Sequence, residues 1–143
     1  MNLTHALGLA AKYHAGQKYG DEDYFDYHIL NVLSRVQFNY REHEKINDLR
    51  IVAVLHDIKE DHPECAGDLE VFNKDIQEAI ESISFKKGKE SRKEYYERVK
   101  QNELARLVKI QDALENQYNC LKNREYKRSL YYTDIACILE ENK

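Results

Sequence analysis

Residues that interrupt helices are scarce in this chain, whose 143 residues include five glycines and one proline. Apolar side chains recur at intervals of three and four residues, and no segment alternates steadily between apolar and polar positions. The first pattern is typical of amphipathic helices, whereas steady alternation is typical of half-buried strands. The sequence therefore predicts an all-α fold.

Capping residues and breaks in the apolar spacing divide the chain into about seven helices. Gly16 to Asp23 is expected to form a loop, and Pro63 is expected to stop the third helix. A polar, basic loop is expected from Phe85 to Lys89, after which Ser91 and Glu94 have the spacing of a capping box. The expected helices are Leu3 to Gln17, Tyr27 to Asn39, Ile46 to Glu60, Asp68 to Ile83, Ser91 (as N-cap) to Val99, Leu104 to Leu121, and Tyr126 to Glu140.

The length suits one domain, residues 1–143, with enough chain to bury a hydrophobic core. The net charge of −4 argues against nonspecific binding of duplex nucleic acid. No apolar run approaches the roughly eighteen residues of a membrane span, and the N-terminus lacks the pattern of a secretory signal. Three scattered cysteines suggest reduced thiols. We therefore expect a cytoplasmic protein without a nucleic-acid or membrane partner, and the oligomeric state stays open.

The strongest chemical signal is the run Ile51-Val-Ala-Val-Leu-His-Asp-Ile-Lys-Glu-Asp61. Five apolar residues lead into His56-Asp57. Glu60 follows His56 by four residues, and Asp61 follows Asp57 by four. On a continuous helix, positions i and i+4 share a face, so an imidazole and several carboxylates would lie together. Such a cluster is costly to bury unless it is paired, hydrogen-bonded or bound to a metal.

Two other segments offer ligands for a divalent metal. His28 opens a helix among core-like neighbours, and Asp112 follows an apolar turn, with Asn116 one turn further on the same face. Divalent first-row metals accept imidazole and carboxylate ligands together. Each part also has an explanation without a metal. His56-Asp57 would be an ion pair at a helix end, His28 a core histidine, and Asp112 and Asn116 part of a solvated helix face. We expect His14 to lie beside the site or to be structural, and His62 to lie at the surface.

The order His28, His56-Asp57, Asp112 resembles the H…HD…D signature of the HD-domain metal-dependent phosphohydrolases. A more specific resemblance is to the hydrolase domain of RelA/SpoT proteins and to small stand-alone alarmone hydrolases. It rests on Ala-x-x-x-His-x-Gly-Gln at 10–17, the segment 24–28, His-Asp-x-x-Glu-Asp at 56–61, and Val-Lys-Ile-x-Asp-x-x-x-Asn at 108–116. It covers about residues 7–138 and implies a single HD-domain helical bundle, with the site in a cleft between the helices that carry these motifs.

The resemblance also implies roles for individual residues. One Mn²⁺ ion, or another divalent first-row metal, would be held by His28, His56, Asp57 and Asp112. Glu60 and Asp61 would orient or activate the attacking water, and Asn116 would contact the substrate. The implied reaction converts guanosine 3′,5′-bis(diphosphate), as ppGpp or pppGpp, into GDP or GTP and pyrophosphate. Tyr131 falls near a position where the related hydrolases have a stacking tyrosine, although a packing role is the simpler explanation in a chain with 11 tyrosines.

A diphosphate substrate needs local positive charge in a chain whose net charge is −4. Lysine and arginine supply that charge, and arginine adds bidentate geometry. The candidates near the motifs are Lys18, Lys109 and the run Lys86, Lys87, Lys89, Arg92 and Lys93. A solvated loop is the alternative explanation of the run.

Two departures from the family pattern bear on the choice of substrate. The family usually has Arg-Lys after Gly-Gln, where this chain has Lys18-Tyr19, and proline after the first metal-binding histidine, where it has Ile29. They leave open another nucleotide: a deoxynucleoside triphosphate, a nucleoside monophosphate, NADPH, or a cyclic or other signalling nucleotide. A non-catalytic nucleotide-binding protein with the same fold is the remaining alternative.

Overall fold

The computed structural model describes residues 2–141 and confirms the all-α fold as a helical bundle. Its α-helices are α1 (Leu3–Tyr13), α2 (Leu30–Asn39), α3 (Ile46–Leu55), α4 (Ile58–Asp61), α5 (Lys74–Ile83), α6 (Arg92–Lys100), α7 (Glu103–Lys122) and α8 (Tyr126–Glu140). A π-helical turn spans Phe25–Ile29, and a 3₁₀ helix spans Pro63–Val71. The strands within the described part of the chain are β1 (Lys18–Tyr19) and β2 (Glu22–Asp23), an antiparallel pair in which Lys18 lies opposite Asp23.

Several helix ends agree with the sequence. The capping box is present, because Ser91 Oγ accepts from the Glu94 N–H at 3.1 Å and the Glu94 carboxylate accepts from the Ser91 N–H at 3.0 Å. Such reciprocal bonds satisfy two of the donors that a helix start leaves without partners. The predicted bounds of the last helix, Tyr126 to Glu140, are also confirmed.

The first predicted helix and the loop after it were partly wrong. The helix ends at Tyr13 instead of Gln17, because the chain turns at Gly16, whose φ of +78° is accessible to glycine at little cost. The predicted loop that follows contains the hairpin of β1 and β2. Its strands are two residues long, too short to produce an alternating pattern in the sequence.

Two other predicted helices are each interrupted. The helix predicted from Ile46 to Glu60 breaks at His56-Asp57, between α3 and α4. The helix predicted from Asp68 to Ile83 breaks before Asn73, whose side chain caps α5 by accepting from the Ile76 N–H at 3.0 Å. The segment before that break is the 3₁₀ helix that begins at Pro63.

Helix α3 lies at the centre of the bundle. Its residues from Val52 to Leu55 are fully buried, and it packs against α1, α2, α5 and α7. A helix that is apolar on all sides is stable only when other helices cover it. His56, which directly follows α3, therefore lies in the interior of the bundle. Within residues 2–141, no helix has both the length and the apolar character needed to cross a membrane.

Candidate metal centre

Four side chains from three parts of the chain converge at the end of α3. His28 lies in the π-helical turn, His56 and Asp57 lie between α3 and α4, and Asp112 lies within α7. Nε2 of His28 is 3.0 Å from Oδ1 of Asp112 and 3.8 Å from Oδ2 of Asp57. Nε2 of His56 is 3.4 Å and 3.2 Å from the same two oxygens. The structure thus brings together the set that the sequence predicted as metal ligands.

The group could hold a metal ion. His28, His56 and Asp112 each offer one ligand atom, these atoms lie within 4.8 Å of one another, and all three residues are buried. Nε2 of His56 is buried and makes no well-aligned hydrogen bond within the described residues, although two carboxylate oxygens lie close to it. Nδ1 of the same ring lies 2.6 Å from the carbonyl oxygen of Ala53, so Nδ1 is the donor on that side and Nε2 is the nitrogen that faces the site. Buried nitrogen and oxygen donors of this kind suit a divalent first-row metal.

Electrostatics also favour a cation at this point. Burial alone would lower the pKa of His56, but the carboxylates of Asp57 and Asp112 raise it well above its usual value. Burial alone would raise the pKa of Asp112, but Lys109 and His56 hold it well below its usual value. Burial alone would raise the pKa of Asp57 too, but the attraction and hydrogen bonding of His56, together with the attraction of His28, lower it. Both carboxylates are therefore ionised and face the two imidazoles.

Tyrosines that the sequence analysis did not single out surround the ligands. The Tyr24 hydroxyl donates to Oδ2 of Asp57. The Tyr19 ring stacks on the His28 ring, with centroids 4.9 Å apart and 14° between the planes, and its hydroxyl donates to Asn116. Tyr24 belongs to the segment that carries the family resemblance, but both contacts depend on how the hairpin folds back over the site. No pattern in the sequence indicates that fold.

A cleft of about 260 Å³ lies over this group. It is lined by predicted site residues and by further aromatic and apolar side chains: Tyr19, Tyr24, His28, Asp57, Glu60, Asp61, Arg92, Tyr96, Lys109, Asp112, Asn116, Tyr131, Tyr132 and Ile135. Lys109 donates to Oδ2 of Asp112 at 2.8 Å, and Asn116 donates to Oδ1 at 3.3 Å. Arg92 lies over the Phe85 ring, 3.8 Å from its centroid.

Five predicted phosphate contacts lie outside the lining of that cleft: Lys18, Lys86, Lys87, Lys89 and Lys93. Lys18 lines a neighbouring cavity of about 650 Å³. Lys86 is paired with Glu81 at 3.5 Å, and Lys87 and Lys89 are exposed. A run of like charges in sequence is thus divided by the fold, because the loop that carries it presents Arg92 to the cleft and the lysines to solvent.

The loop that carries Lys86, Lys87 and Lys89 is held in place by Arg98. Its guanidinium donates to the carbonyl oxygens of Glu81, Ser82 and Ser84 at 2.8–3.0 Å. It also donates to both oxygens of Glu90, the closer one at 2.6 Å. Arg98 therefore satisfies the free carbonyls at the end of α5 and fixes the loop that leads to Arg92.

The acidic pair Glu60-Asp61 lines the cleft. The sequence predicted that it shares a continuous helix with His56-Asp57, but the helix is interrupted between the two pairs. A Glu60 oxygen accepts from the Phe85 N–H at 3.2 Å. Burial, and then the charge of Asp57, raise the pKa of the Glu60 carboxyl. Glu60 is therefore a stronger base than an exposed glutamate.

Asp61 is held by a residue of the Gly-Gln motif whose role the sequence did not reveal. The Gln17 amide donates to Oδ2 of Asp61 at 3.1 Å, and its carbonyl oxygen lies 2.8 Å from Nδ1 of His14 and 3.1 Å from Nε2 of His62. His14 is fully buried, and its pKa is lowered by that burial. His62, predicted at the surface, is partly buried because it packs edge-on against the His14 ring.

No protein-family model and no curated protein matches this chain. The chemistry available to the site follows from its residues. It combines a buried set of imidazole and carboxylate donors, a carboxylate with a raised pKa in Glu60, and the cations Arg92 and Lys109 along one cleft.

Proposed function

We propose that this protein is a metal-dependent phosphohydrolase of the HD-domain type, which hydrolyses guanosine 3′,5′-bis(diphosphate) to GDP and pyrophosphate, and its 5′-triphosphate counterpart to GTP and pyrophosphate. One observation carries the proposal: a single cleft is lined by three residues of the ligand set (His28, Asp57 and Asp112), by the acid pair Glu60-Asp61 and by two cations, Arg92 and Lys109. Hydrolysis of a phosphate ester needs these three parts, namely a place for a Lewis acid, a general base and positive charge for the phosphates.

The ion would be Mn²⁺ or another divalent first-row metal, held by His28, His56, Asp57 and Asp112. When bound, it would polarise a phosphoryl oxygen and make water a stronger acid. The chain's own contribution is to keep the ligand atoms in place. The Ala53 carbonyl fixes the tautomer of His56, Tyr24 holds Asp57, and Lys109 holds Asp112.

Glu60 is the proposed general base. Its raised pKa makes it a stronger proton acceptor, and its bond from the Phe85 N–H fixes its direction. It would accept the proton of the water that attacks phosphorus at the ribose 3′ position. Asp61, oriented by Gln17, would hold that water by hydrogen bonding.

Arg92 and Lys109 are the proposed partners of the diphosphate, because both line the cleft that contains the ligands. The aromatic rings of Tyr131 and Tyr132 line the same cleft and offer flat apolar surface to a base. Asn116 offers an amide to a ribose or phosphate oxygen. This substrate site leaves out the lysines that do not line the cleft: Lys18, Lys86, Lys87, Lys89 and Lys93.

A different nucleotide is the second candidate substrate, and Tyr19 is the observation that favours it. In the family that the sequence resembles, an Arg-Lys pair follows the Gly-Gln motif. Here the Tyr19 ring stacks on His28, and Lys18 faces the neighbouring cavity. The edge of the cleft beside His28 is therefore aromatic where the family has cations, which alters contacts to a base or a 5′-phosphate.

The deciding experiment is incubation of the purified protein with ppGpp and Mn²⁺, with products separated by anion-exchange chromatography. We expect GDP and pyrophosphate, and we expect both to disappear with a chelator or in the Asp57→Ala variant. Stoichiometric Mn²⁺ binding without turnover of ppGpp would overturn the alarmone as substrate. A panel of other nucleotides would then test the second candidate, and tight nucleotide binding without any turnover would point to the non-catalytic alternative.

A further inference from the structure

Helices α2 and α7 face each other through two rows of polar side chains with the same spacing. On each helix the polar residues recur every four positions, so each row lies along one helix face. We call this set the polar ladder: Asn31, Arg35 and Asn39 on α2, and Gln111, Glu115 and Asn119 on α7.

Hydrogen bonds join the two rows at successive levels. Arg35 donates to Oε1 of Glu115 at 2.7 Å, and Asn31 donates to Oε2 at 3.4 Å. Asn39 donates to the Gln111 oxygen at 3.1 Å. Within α7, Asn119 donates to Oε2 of Glu115 at 2.9 Å. The two helices are thus connected by specific donor and acceptor pairs over two turns.

The side chains that α7 contributes are buried: Gln111 is 5% exposed, Glu115 4% and Asn119 4%. A buried carboxylate paired with arginine contributes little net stability compared with well-packed apolar residues, because Glu115 loses its hydration and Arg35, whose side chain is 30% exposed, loses part of its own. Apolar side chains at these positions would hold the helices together equally well. The hydrogen bonds therefore provide something that apolar packing does not, namely a defined alignment of the helices.

Contacts of the polar ladder lie on either side of two metal ligands. Tyr27, which directly precedes His28, donates to the Asn119 side chain at 2.7 Å, and Asn31 lies one turn beyond His28. On α7, Gln111 directly precedes Asp112. His28 and Asp112, whose ligand atoms are 3.0 Å apart, thus each lie between residues that make ladder contacts: Tyr27 and Asn31 flank His28, and Gln111 and Glu115 flank Asp112.

We infer that the polar ladder sets the axial register of α2 against α7 and thereby positions His28 and Asp112 for metal binding. A slip of one residue moves a helix by about 1.5 Å along its axis, whereas metal–ligand distances tolerate deviations of only about 0.2 Å. Apolar packing resists such a slip through shape alone, whereas the ladder adds donor–acceptor pairs that a slip would break. The inference rests on the metal centre of the proposed function, and it makes Arg35 and Glu115 positioning residues.

The test compares Mn²⁺ affinity with stability in the full-length protein. Arg35→Met leaves the buried Glu115 carboxylate without its cation and should lower the melting temperature most. The double variant Arg35→Met/Glu115→Leu replaces the ion pair with apolar side chains and should melt close to the wild type. We expect it nevertheless to bind Mn²⁺ about ten times more weakly or worse, because a displaced ligand should cost about as much affinity as a ligand that loses its hydrogen-bonded partner.

Leu139→Ala is the matched control, because Leu139 is fully buried in α8 and is not part of the polar ladder. It should lower the melting temperature and leave the Mn²⁺ affinity of the folded protein unchanged. A double variant that melts like the wild type and also binds Mn²⁺ like the wild type would overturn the inference alone. A wild-type protein that binds no Mn²⁺ would overturn the metal centre, and the inference with it.

Discussion

Nδ1 of His56 lies 2.6 Å from the carbonyl oxygen of Ala53, three residues earlier in the chain. The last carbonyls of a helix have no partner within the helix, and here one of them accepts from the imidazole. This contact exists because α3 stops at Leu55. The break in the helix thus sets the tautomer of His56 and directs Nε2 toward Asp57 and Asp112.

Replacement of His56 or Asp57 by alanine should abolish Mn²⁺ binding, because each change removes a donor from the buried set. Bound metal can be counted by elemental analysis after gel filtration. His43→Ala is the control, since His43 contacts Glu103 at the surface, away from the cleft. An Asp57→Ala protein that kept stoichiometric Mn²⁺ would contradict the assignment of the site.

Glu60→Gln should keep the metal and lose turnover by about 10²- to 10⁴-fold, the usual contribution of a general base. The amide keeps the shape of the side chain but does not take up a proton. Steady-state kinetics with ppGpp, together with a metal count, measure both properties. Glu78→Gln, at a half-exposed carboxylate paired with Lys74, is the control. Full activity of Glu60→Gln would exclude Glu60 as the base.

Tyr24→Phe should weaken Mn²⁺ binding by about tenfold, because Asp57 loses the hydroxyl that orients its carboxylate. Titration calorimetry with Mn²⁺ measures the change directly. Tyr13→Phe removes a comparable tyrosine–aspartate bond, to Asp68, at a distance from the ligands, and should leave the affinity unchanged. Equal affinities of the two variants would mean that Tyr24 only packs.

The Arg98–Glu90 pair should make stability depend on pH in the acid range. Hydrogen bonding from Arg98 lowers the pKa of the Glu90 carboxyl below its usual value of 4.5. A carboxyl with a lowered pKa in the folded state stabilises the fold above its unfolded pKa and loses that contribution as the pH falls through its folded pKa. The free energy of unfolding should therefore fall more steeply below about pH 4.5 in the wild type than in Glu90→Gln.

Urea denaturation at a series of pH values measures this difference. Glu78→Gln again serves as the control and should keep the wild-type slope. Parallel curves for the wild type and Glu90→Gln would show that Arg98 holds the loop through the backbone carbonyls alone.

The helices were predictable where local signals agree with the fold. Ser91 and Glu94 cap α6 as expected, and α8 begins and ends where its apolar spacing does. The break at His56 was not predictable, because helix-forming residues continue through it and the interruption depends on contacts with distant segments. Asn73 was a usable signal for a helix start that the continuous apolar spacing concealed.

The convergence of the metal-ligand set was predictable from the order of the motifs, whereas the tyrosine contacts were not. Tyr19 and Tyr24 reach the site through a short hairpin that leaves no periodic trace in the sequence. The polar ladder is visible as spacing, since Asn31 and Arg35 are four residues apart, as are Gln111 and Glu115. The same spacing is typical of a solvated helix face, and only the structure distinguishes the two.

Because of the π-helical turn at Phe25–Ile29, the geometry of the metal site depends on the number of residues in this segment. The Leu30 N–H reaches the Phe25 carbonyl across one residue more than an α-helical turn contains. Removing that extra residue would rotate everything before it by about 100° around the axis of α2. A related chain could therefore have all four metal-ligand residues and still lose the site through the deletion of one residue. In comparing related sequences, the spacing between Tyr24 and Leu30 therefore carries as much information as the identity of His28.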